Sequence, residues 1–378
     1  MRPPSVHPPV TPTSPRRPLV VARRGDSEGV TAFVESPLQL LCAVEAHAAG
    51  HAGTRTRVLA RADVPSLAPA VEAVRSLGLP GGLDVEPAPA PTRLPHDVLV
   101  VGDPFSRAFQ SALVRAVRPP SRIVVVDDGT AALDLAHRLT SGGSMVRIGA
   151  PPGSPRLGLG ALAARRLRRV AEAGGLSLCT ALPIDHDLRA WLRLLGVDVL
   201  EHSFGWLRGR PAGDALQEPT VVVGSALAAD GLVQPDRYVA WVRGLAADGP
   251  VRYVPHRRHD PRISALLERV PGIELDAPGA PVEVRLRGLR PGQRVVTLPS
   301  ASALTLARLL VPRGVAVVPQ AVPRGWWTDR VTPELYQAVG RVHALATRDL
   351  ATRDLTTRAL ATHPAPAAAG APLVAAGA

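Results

Sequence analysis

The segment "HDVLVVGDPFSRAFQSALVRAVRPPSRIVVVDDG", residues 96–129, decides the fold class. Residues 96–103 and 122–129 are predicted to be buried strands, because each contains an uninterrupted run of branched apolar residues. Residues 107–117, between them, have the spacing of an amphipathic helix. A strand, a helix and a second strand in this order indicate a right-handed βαβ unit with parallel strands.

The same alternation continues on both sides of this unit. Strands at 31–35 and 56–60 are each followed by a helix, and a helical region covers 155–173. After an irregular stretch a second series begins, with strands at 220–224, 251–255, 273–276, 294–299 and 314–319. The sequence therefore predicts an α/β protein with two Rossmann-like domains, and ligands bind at the carboxyl ends of the strands in such sheets.

The predicted boundaries follow from composition. Residues 1–29 are rich in Pro, Ser and Arg and are predicted to be a disordered tail. Residues 30–205 form the N-terminal domain, 206–218 a hinge and 219–345 the C-terminal domain. Residues 346–378, which contain the repeat "ATRDLATRDL", are predicted to be a low-complexity tail without chemistry.

Composition limits the classes of function. The chain has 378 residues and a formal net charge of +12. All 44 of its basic residues are arginines, scattered apart from "ARRLRRV" at 164–170, which indicates codon bias rather than a nucleic-acid-binding face. Cys42 and Cys179 match no metal or redox spacing and are expected to be buried thiols. Without a secretory signal or a long apolar run, the chain is expected to be cytoplasmic, with peripheral membrane association and a homodimer left open.

Polar residues follow the predicted strands of the first domain. Ser36 begins an S-x-x-Q capping box, which explains it structurally, although a capped helix start can also meet an anion or a sugar hydroxyl. Asp127 and Asp128 end a strand and precede Gly129. This group suits either a turn or a site in which one carboxylate takes a proton while the other holds a hydroxyl or the loop.

The second domain offers three further strand ends. Gly224 and Ser225 form a small-residue loop that suits a nucleotide, although the loop matches no Walker or G-x-G-x-x-G pattern. His256 is followed by Arg257, and an arginine beside a histidine favours a phosphate over a metal ion. A double-serine helix start, at Ser300 and Ser302, is explained by capping or by added donors for a phosphate.

Taken in order, these motifs resemble those of bacterial GT-B sialyltransferases, namely the lipooligosaccharide sialyltransferase and capsular polysialyltransferase families. Those families carry a D/E-D/E-G motif, an HP motif and an S-S/T motif. The first motif is complete at 127–129, whereas Arg257 replaces the proline of the second and Ala301 separates the two serines of the third. The segments "ESPLQLL" (35–41) and "VGSALAADGLV" (223–233) are similar to the families' opening loop and glycine loop.

The resemblance implies an inverting, metal-independent and cofactor-free transfer of a sialic acid, or a related nonulosonic acid, from a CMP-sugar donor to a hydroxyl of a cell-surface glycan or polysaccharide. Asp127 would be the base, with Asp128 as the alternative base. The other implied contacts are with the leaving phosphate (His256, Ser300 and Ser302), the donor (Gly224, Ser225 and Arg257) and the glycan or its loop (Ser36 and Gly129).

Two alternative functions stay open. The first is a GT-B glycosyltransferase with a UDP-sugar or GDP-sugar donor. The second is a non-catalytic nucleotide-binding protein of envelope assembly. The acceptor, the linkage, the choice between a single transfer and polymerisation, and the oligomeric state are not readable from the sequence.

Overall fold

The structure, a computed structural model, describes residues 29–95, 97–148, 154–258, 260–277 and 279–362, with side chains described up to 353. The disordered tail predicted for 1–29 lies outside this range except for Gly29, and residues 363–378 of the second predicted tail lie outside it as well. Among the described residues, no helix has the length and apolarity needed to cross a membrane.

The first domain is a seven-stranded parallel sheet with helices on both faces. Its strands are ordered β3-β2-β1-β4-β5-β6-β7, and β4 and β5 are buried along most of their length, as their apolar runs predict. The strands are β1 (Val30–Val34), β2 (Thr56–Arg61), β3 (Leu83–Ala88), β4 (Val98–Val101), β5 (Arg122–Val126), β6 (Leu176–Thr180) and β7 (Val197–Glu201). The helices are α1 (Pro37–Ala48), α2 (Leu67–Ser76), α3 (Arg107–Arg115), α4 (Ala131–Ser141), α5 (Pro155–Glu172) and α6 (His186–Leu194).

The second domain repeats this plan with five parallel strands in the order β10-β9-β8-β11-β12. A short helix, α7 (Gly205–Arg208), joins the two domains. The strands are β8 (Thr220–Val223), β9 (Val251–Val254), β10 (Ile273–Leu275), β11 (Arg294–Thr297) and β12 (Ala316–Pro319). The helices are α8 (Ala226–Ala229), α9 (Pro235–Ala247), α10 (Pro261–Leu267), α11 (Val282–Arg285), α12 (Ala301–Leu310) and α13 (Pro333–Thr362).

One apolar core extends across both domains. Residues of α1, such as Leu40, belong to the same buried cluster as Val223 of β8 and Leu306 of α12. The first part of the predicted hinge is also packed, since Trp206 and Leu207 are buried. The prediction of two Rossmann-like domains with parallel sheets is confirmed.

The domain boundary predicted at 345/346 falls within helix α13. Helix α13 is continuous through this position, and Ala346, which is 1% exposed, packs with Leu182 of the first domain and Ala303 of the second. Helix α13 therefore begins against the second domain and contacts the first. The sequence repeat that suggested a tail is part of this helix.

Candidate functional site

A cavity of about 770 Å³ lies between the two domains, at the carboxyl ends of both sheets. Strand order reverses between β1 and β4 in one sheet and between β8 and β11 in the other, which are the positions where such sheets form ligand crevices. All but one of the ten site residues predicted from sequence line this cavity: Ser36, Asp128, Gly129, Gly224, Ser225, His256, Arg257, Ser300 and Ser302. The exception is Asp127.

Asp128 is the carboxylate that faces the cavity. Its Oδ1 accepts a hydrogen bond of 3.0 Å from the Ser36 hydroxyl, and its Oδ2 lies 3.2 Å from an Arg147 nitrogen. Ser36 also accepts from the backbone N–H of Gln39 at 3.3 Å, so this serine both caps α1 and holds Asp128. The structural and functional interpretations of Ser36 are therefore compatible.

Asp127 has no exposed surface. Its Oδ1 accepts from the Thr180 hydroxyl and its Oδ2 from the backbone N–H of Ala181, both at 2.6 Å. The pairing of β5 with β6 places Thr180 beside this position. A carboxylate held in this way below the cavity floor cannot reach an acceptor hydroxyl, so the predicted base role of Asp127 does not fit its position. Of the two adjacent carboxylates, the one that an acceptor can reach belongs to Asp128.

A glycine at position 129 could serve either a close approach of the backbone or a left-handed backbone conformation. No atom lies within 4 Å of the place where its Cβ would be, so close approach is not the reason for this glycine. Its φ of +61° is the reason, because residues with a Cβ rarely adopt the left-handed region. This geometry turns the chain from β5 into α4 directly after Asp128.

Arg147 and Asp103 belong to the site although the sequence analysis did not select them. An Arg147 nitrogen lies 2.7 Å from Asp103 and 3.2 Å from Asp128, so one guanidinium joins two carboxylates from the ends of β4 and β5. Burial raises the pKa of Asp103, and Arg147 opposes that shift. The arrangement holds Asp128 between a hydroxyl on one side and a cation on the other.

His256 lies on the opposite side of the cavity, in the loop after β9. Burial, followed by the charges of Arg258 and Arg257, lowers its pKa to about 4, so the imidazole is neutral near pH 7. Its Nδ1 lies 3.2 Å from the backbone N–H of Arg258, which donates to it, and the ring proton is therefore on Nε2. The neutral ring therefore has one hydrogen-bond donor, its Nε2–H.

Gly224 allows the loops after β8 and β9 to lie close together. A Cβ at this position would be 2.6 Å from the backbone nitrogen of His256 and 3.1 Å from the Val254 oxygen. Any larger residue would push the histidine loop away. Ser225, the next residue, caps α8 through a 3.1 Å bond from the Leu227 N–H.

Helix α12 begins at the cavity wall without a side-chain cap. Ser300 is at the N-cap position, but its hydroxyl makes no capping bond and lies 3.4 Å from the Thr297 hydroxyl. Ser302, two residues further on, also lines the cavity. From sequence, helix capping is the structural explanation of Ser300. Because the Ser300 hydroxyl makes no capping bond, capping does not explain why a serine stands here.

Four guanidinium groups line the cavity, and they differ in their partners. Arg258 forms a 3.0 Å ion pair with Asp230, Arg285 pairs closely with Asp276, and Arg147 bridges its two aspartates. Arg257 has only a 3.8 Å approach to Asp128, across the boundary between the domains. Arg257 is therefore the cation of the cavity with the weakest ion pair.

Glu283, at the start of α11, is a second cavity residue that the sequence analysis missed. It is 2% exposed and accepts a 2.5 Å bond from the Thr305 hydroxyl. Burial raises the pKa of its carboxyl, and the Thr305 bond opposes that shift.

One side of the cavity is apolar, because α13 contributes four residues at helical spacing: Leu335, Ala338, Val339 and Val342.

The arrangement combines an accessible carboxylate in one domain with phosphate-type donors in the other. Within the described part of the chain, the one group of metal-type ligands that lie close together is Cys42, Asp127 and His202. None of these three residues lines the cavity. The cavity itself therefore has the composition of an acid–base and anion-binding site.

No family model matches the chain, and no curated protein matches its sequence. Solved structures similar to it include Phytolacca americana UGT2 complexed with UDP-2fluoro-glucose and pterostilbene, at 13% identity and a TM-score of 0.42, covering 87% of this chain and 95% of that one. UDP-N-acetylglucosamine 2-epimerase from Rickettsia bellii has 10% identity and a TM-score of 0.40 (89% and 99% covered). Acinetobacter baumannii MurG has 11% identity and a TM-score of 0.35 (89% and 99% covered).

Proposed function

We propose that this chain is a glycosyltransferase that moves a sugar from a nucleotide-activated donor to an acceptor hydroxyl. One observation carries the proposal: the cavity between the domains places Asp128 opposite His256 and the uncapped start of α12. Transfer by a single displacement needs a base at the acceptor and stabilisation of charge at the leaving phosphate. These two requirements match the two sides of the cavity.

Asp128 is the proposed base. Its carboxylate is hydrogen-bonded to Ser36 and Arg147, which fix its orientation, and it keeps an opening to the cavity with 7% exposure. An acceptor hydroxyl entering from the cavity would give its proton to this carboxylate as its oxygen attacks the anomeric carbon. A positioned base of this kind contributes about 100- to 10,000-fold to a rate.

The leaving phosphate is proposed to lie against the second domain. His256 would donate a hydrogen bond through its Nε2–H, and the free N–H groups at the start of α12 would add donors where the helix dipole favours an anion. The hydroxyls of Ser300 and Ser302 lie at the same end of that helix. Donors fixed in place before the reaction stabilise charge as it develops, without reorganisation.

The donor is proposed to be a CMP-activated nonulosonic acid. Support comes from the motif resemblance and from Arg257, whose 3.8 Å approach to Asp128 leaves its guanidinium available for the donor's carboxylate. The second candidate is a UDP-sugar or GDP-sugar, which uses the same phosphate end and needs no carboxylate contact. If the donor is a CMP-activated nonulosonic acid, the proposed acceptor is a hydroxyl of a cell-surface glycan.

The test is nucleotide release from a panel of CMP-sialic acid, UDP-glucose, UDP-N-acetylglucosamine and GDP-mannose, with water or glycans as acceptor. We expect release from CMP-sialic acid and its loss in Asp128→Asn. Asp134→Asn is the matched control, because Asp134 also lines the cavity and pairs with Arg138 instead of the site. Release from only UDP- or GDP-sugars would support the second donor, and nucleotide binding without release from any donor would reject a transferase.

A further inference from the structure

Three metal-type ligand atoms meet below the cavity floor. They are the Cys42 thiol in α1, the Asp127 carboxylate after β5 and an imidazole nitrogen of His202 after β7, and they all lie within 4.8 Å of one another. All three residues are buried. The cluster is outside the proposed transfer site and brings together three separate elements of the first domain.

His202 lacks hydrogen-bond partners in this cluster. Its side chain is 2% exposed, and neither ring nitrogen has a hydrogen-bond partner in the part of the chain that the structure describes. Its Nε2 lies 3.6 Å from Asp127 Oδ2, which is too long for a hydrogen bond, and its ring contacts Phe204 edge-on at 4.9 Å between centroids. Buried polar groups are normally paired, so this imidazole needs a partner.

We propose that Cys42, Asp127 and His202 bind a Zn²⁺ ion, with a water molecule as its fourth ligand. Sulfur, nitrogen and oxygen donors of these kinds are the ligands that zinc takes in proteins. At bond lengths near 2.0–2.1 Å, two nitrogen or oxygen ligands of a tetrahedral ion lie about 3.4 Å apart. The 3.6 Å separation between His202 and Asp127 is close to that distance.

The charges and the surrounding hydrogen bonds agree with this assignment. On binding, the Cys42 S–H bond breaks, a S–Zn bond forms and the proton leaves to solvent, so a thiolate and a carboxylate balance the two positive charges. Thr180 and Ala181 hold Asp127 at 2.6 Å each, and each carboxylate oxygen keeps a lone pair for the ion. Such outer hydrogen bonds commonly orient metal-binding carboxylates.

The ion would have a structural role. It would join α1 to the ends of β5 and β7, directly before Asp128 in the chain and close to Phe204, which precedes α7 and has a φ of +57°. Because the three ligands do not line the cavity, the ion takes no part in the proposed transfer. The inference therefore stands independently of the donor and of the reaction.

Cobalt spectroscopy on the full chain tests the proposal. Chelator-treated protein is titrated with Co²⁺, and a thiolate-to-cobalt absorption band is expected to saturate at one ion per chain. The chain has two cysteines, so Cys179→Ser is the matched control. The band should persist in Cys179→Ser and disappear in Cys42→Ser.

Zinc is measured on the same proteins. Zn²⁺ is expected to raise the melting temperature of wild type and of Cys179→Ser, and to leave that of Cys42→Ser unchanged. Zinc content by elemental analysis should fall from one ion per wild-type chain to none in Cys42→Ser. A wild-type protein that shows neither the cobalt band nor stoichiometric zinc overturns the proposal, as does a band that survives in Cys42→Ser.

Discussion

Exchanging each aspartate of the Asp127-Asp128 pair for asparagine separates their roles. The structure gives the two carboxylates different surroundings: Asp128 opens on the cavity, whereas Asp127 accepts two 2.6 Å bonds in a fully buried position. Asp128→Asn should therefore reduce catalysis, and Asp127→Asn should reduce stability. Both substitutions keep nearly the same volume, so cavities or clashes do not confuse the comparison.

The magnitudes follow from the contacts. Without its base, Asp128→Asn should lower kcat by about 100- to 10,000-fold. An asparagine at 127 has one acceptor oxygen for two buried donors, Thr180 and Ala181, and leaving one donor unpaired costs about 1–3 kcal/mol. At roughly 2–4 °C per kcal/mol for a domain of this size, the melting temperature should fall by about 2–12 °C.

The assay combines nucleotide release with thermal unfolding on chelator-treated protein, so that a bound cation does not add to the stability difference. Asp134→Asn, the cavity-wall control, should keep both activity and melting temperature near those of wild type. Near-normal turnover in Asp128→Asn would refute the assignment of the base. So would an Asp127→Asn protein that melts like wild type and is as inactive as the Asp128 variant.

Four further outcomes test the site. Ser36→Ala should lose about 1 kcal/mol of stability in an unfolding assay, because the N-cap of α1 is removed. It should also lower kcat in a turnover assay, because Asp128 loses its hydrogen bond from the Ser36 hydroxyl. Gly224→Ala should displace the His256 loop and weaken nucleotide binding in calorimetry, since its Cβ would lie 2.6 Å from that backbone nitrogen. Burial lowers the pKa of His256 to about 4, so as the pH falls His256 is protonated in the unfolded chain before it is protonated in the folded protein. Stability should thus decrease by up to about 3 kcal/mol as pH falls from 6.5 to 4, and less in His256→Gln. Glu283 has a raised pKa, so its contribution to stability is lost as pH rises, and Glu283→Gln should raise the melting temperature more at pH 8 than at pH 5.

The strands at the centre of the first sheet that consist of continuous apolar runs were readable from sequence. Strands β4 and β5 are such runs. Three strands of the first sheet were not predicted. Strands β3 and β7 lie at its two edges, where alternating polar residues such as those of "VDVLE" replace a continuous apolar run. Strand β6, "LSLCT", is buried along its length, but Ser177 and Thr180 interrupt its apolar pattern. Edge position is set by the order of strands in space, which local sequence does not encode.

Helix α13 shows a second limit. A five-residue repeat matches no known solenoid unit, so it suggested low complexity. In the structure the repeat still supplies an ion pair at i, i+4, between Asp349 and Arg353, and Ala346 is buried against both domains. The helix depends on this packing, which sequence periodicity does not reveal.

The residues around Asp128 were only partly predictable. Asp103 comes two residues after the end of β4, so the rule that selected other strand ends would also have selected it. Arg147 and Glu283 lie in segments without a motif, and only the folded chain brings them to the cavity. Contacts between segments distant in the chain depend on the fold as a whole.

Adjacent acids at the end of a strand cannot share one environment, because successive side chains leave an extended chain in opposite directions. One carboxylate of such a pair faces neighbouring strands, and the other is free to face a ligand. Here the register of β5 with β6 supplies Thr180 to Asp127, and the turn at Gly129 leaves Asp128 in the cavity. The pair therefore needs both acids: Asp127 fixes the loop to the sheet, and that fixed loop presents Asp128 to the opposite domain.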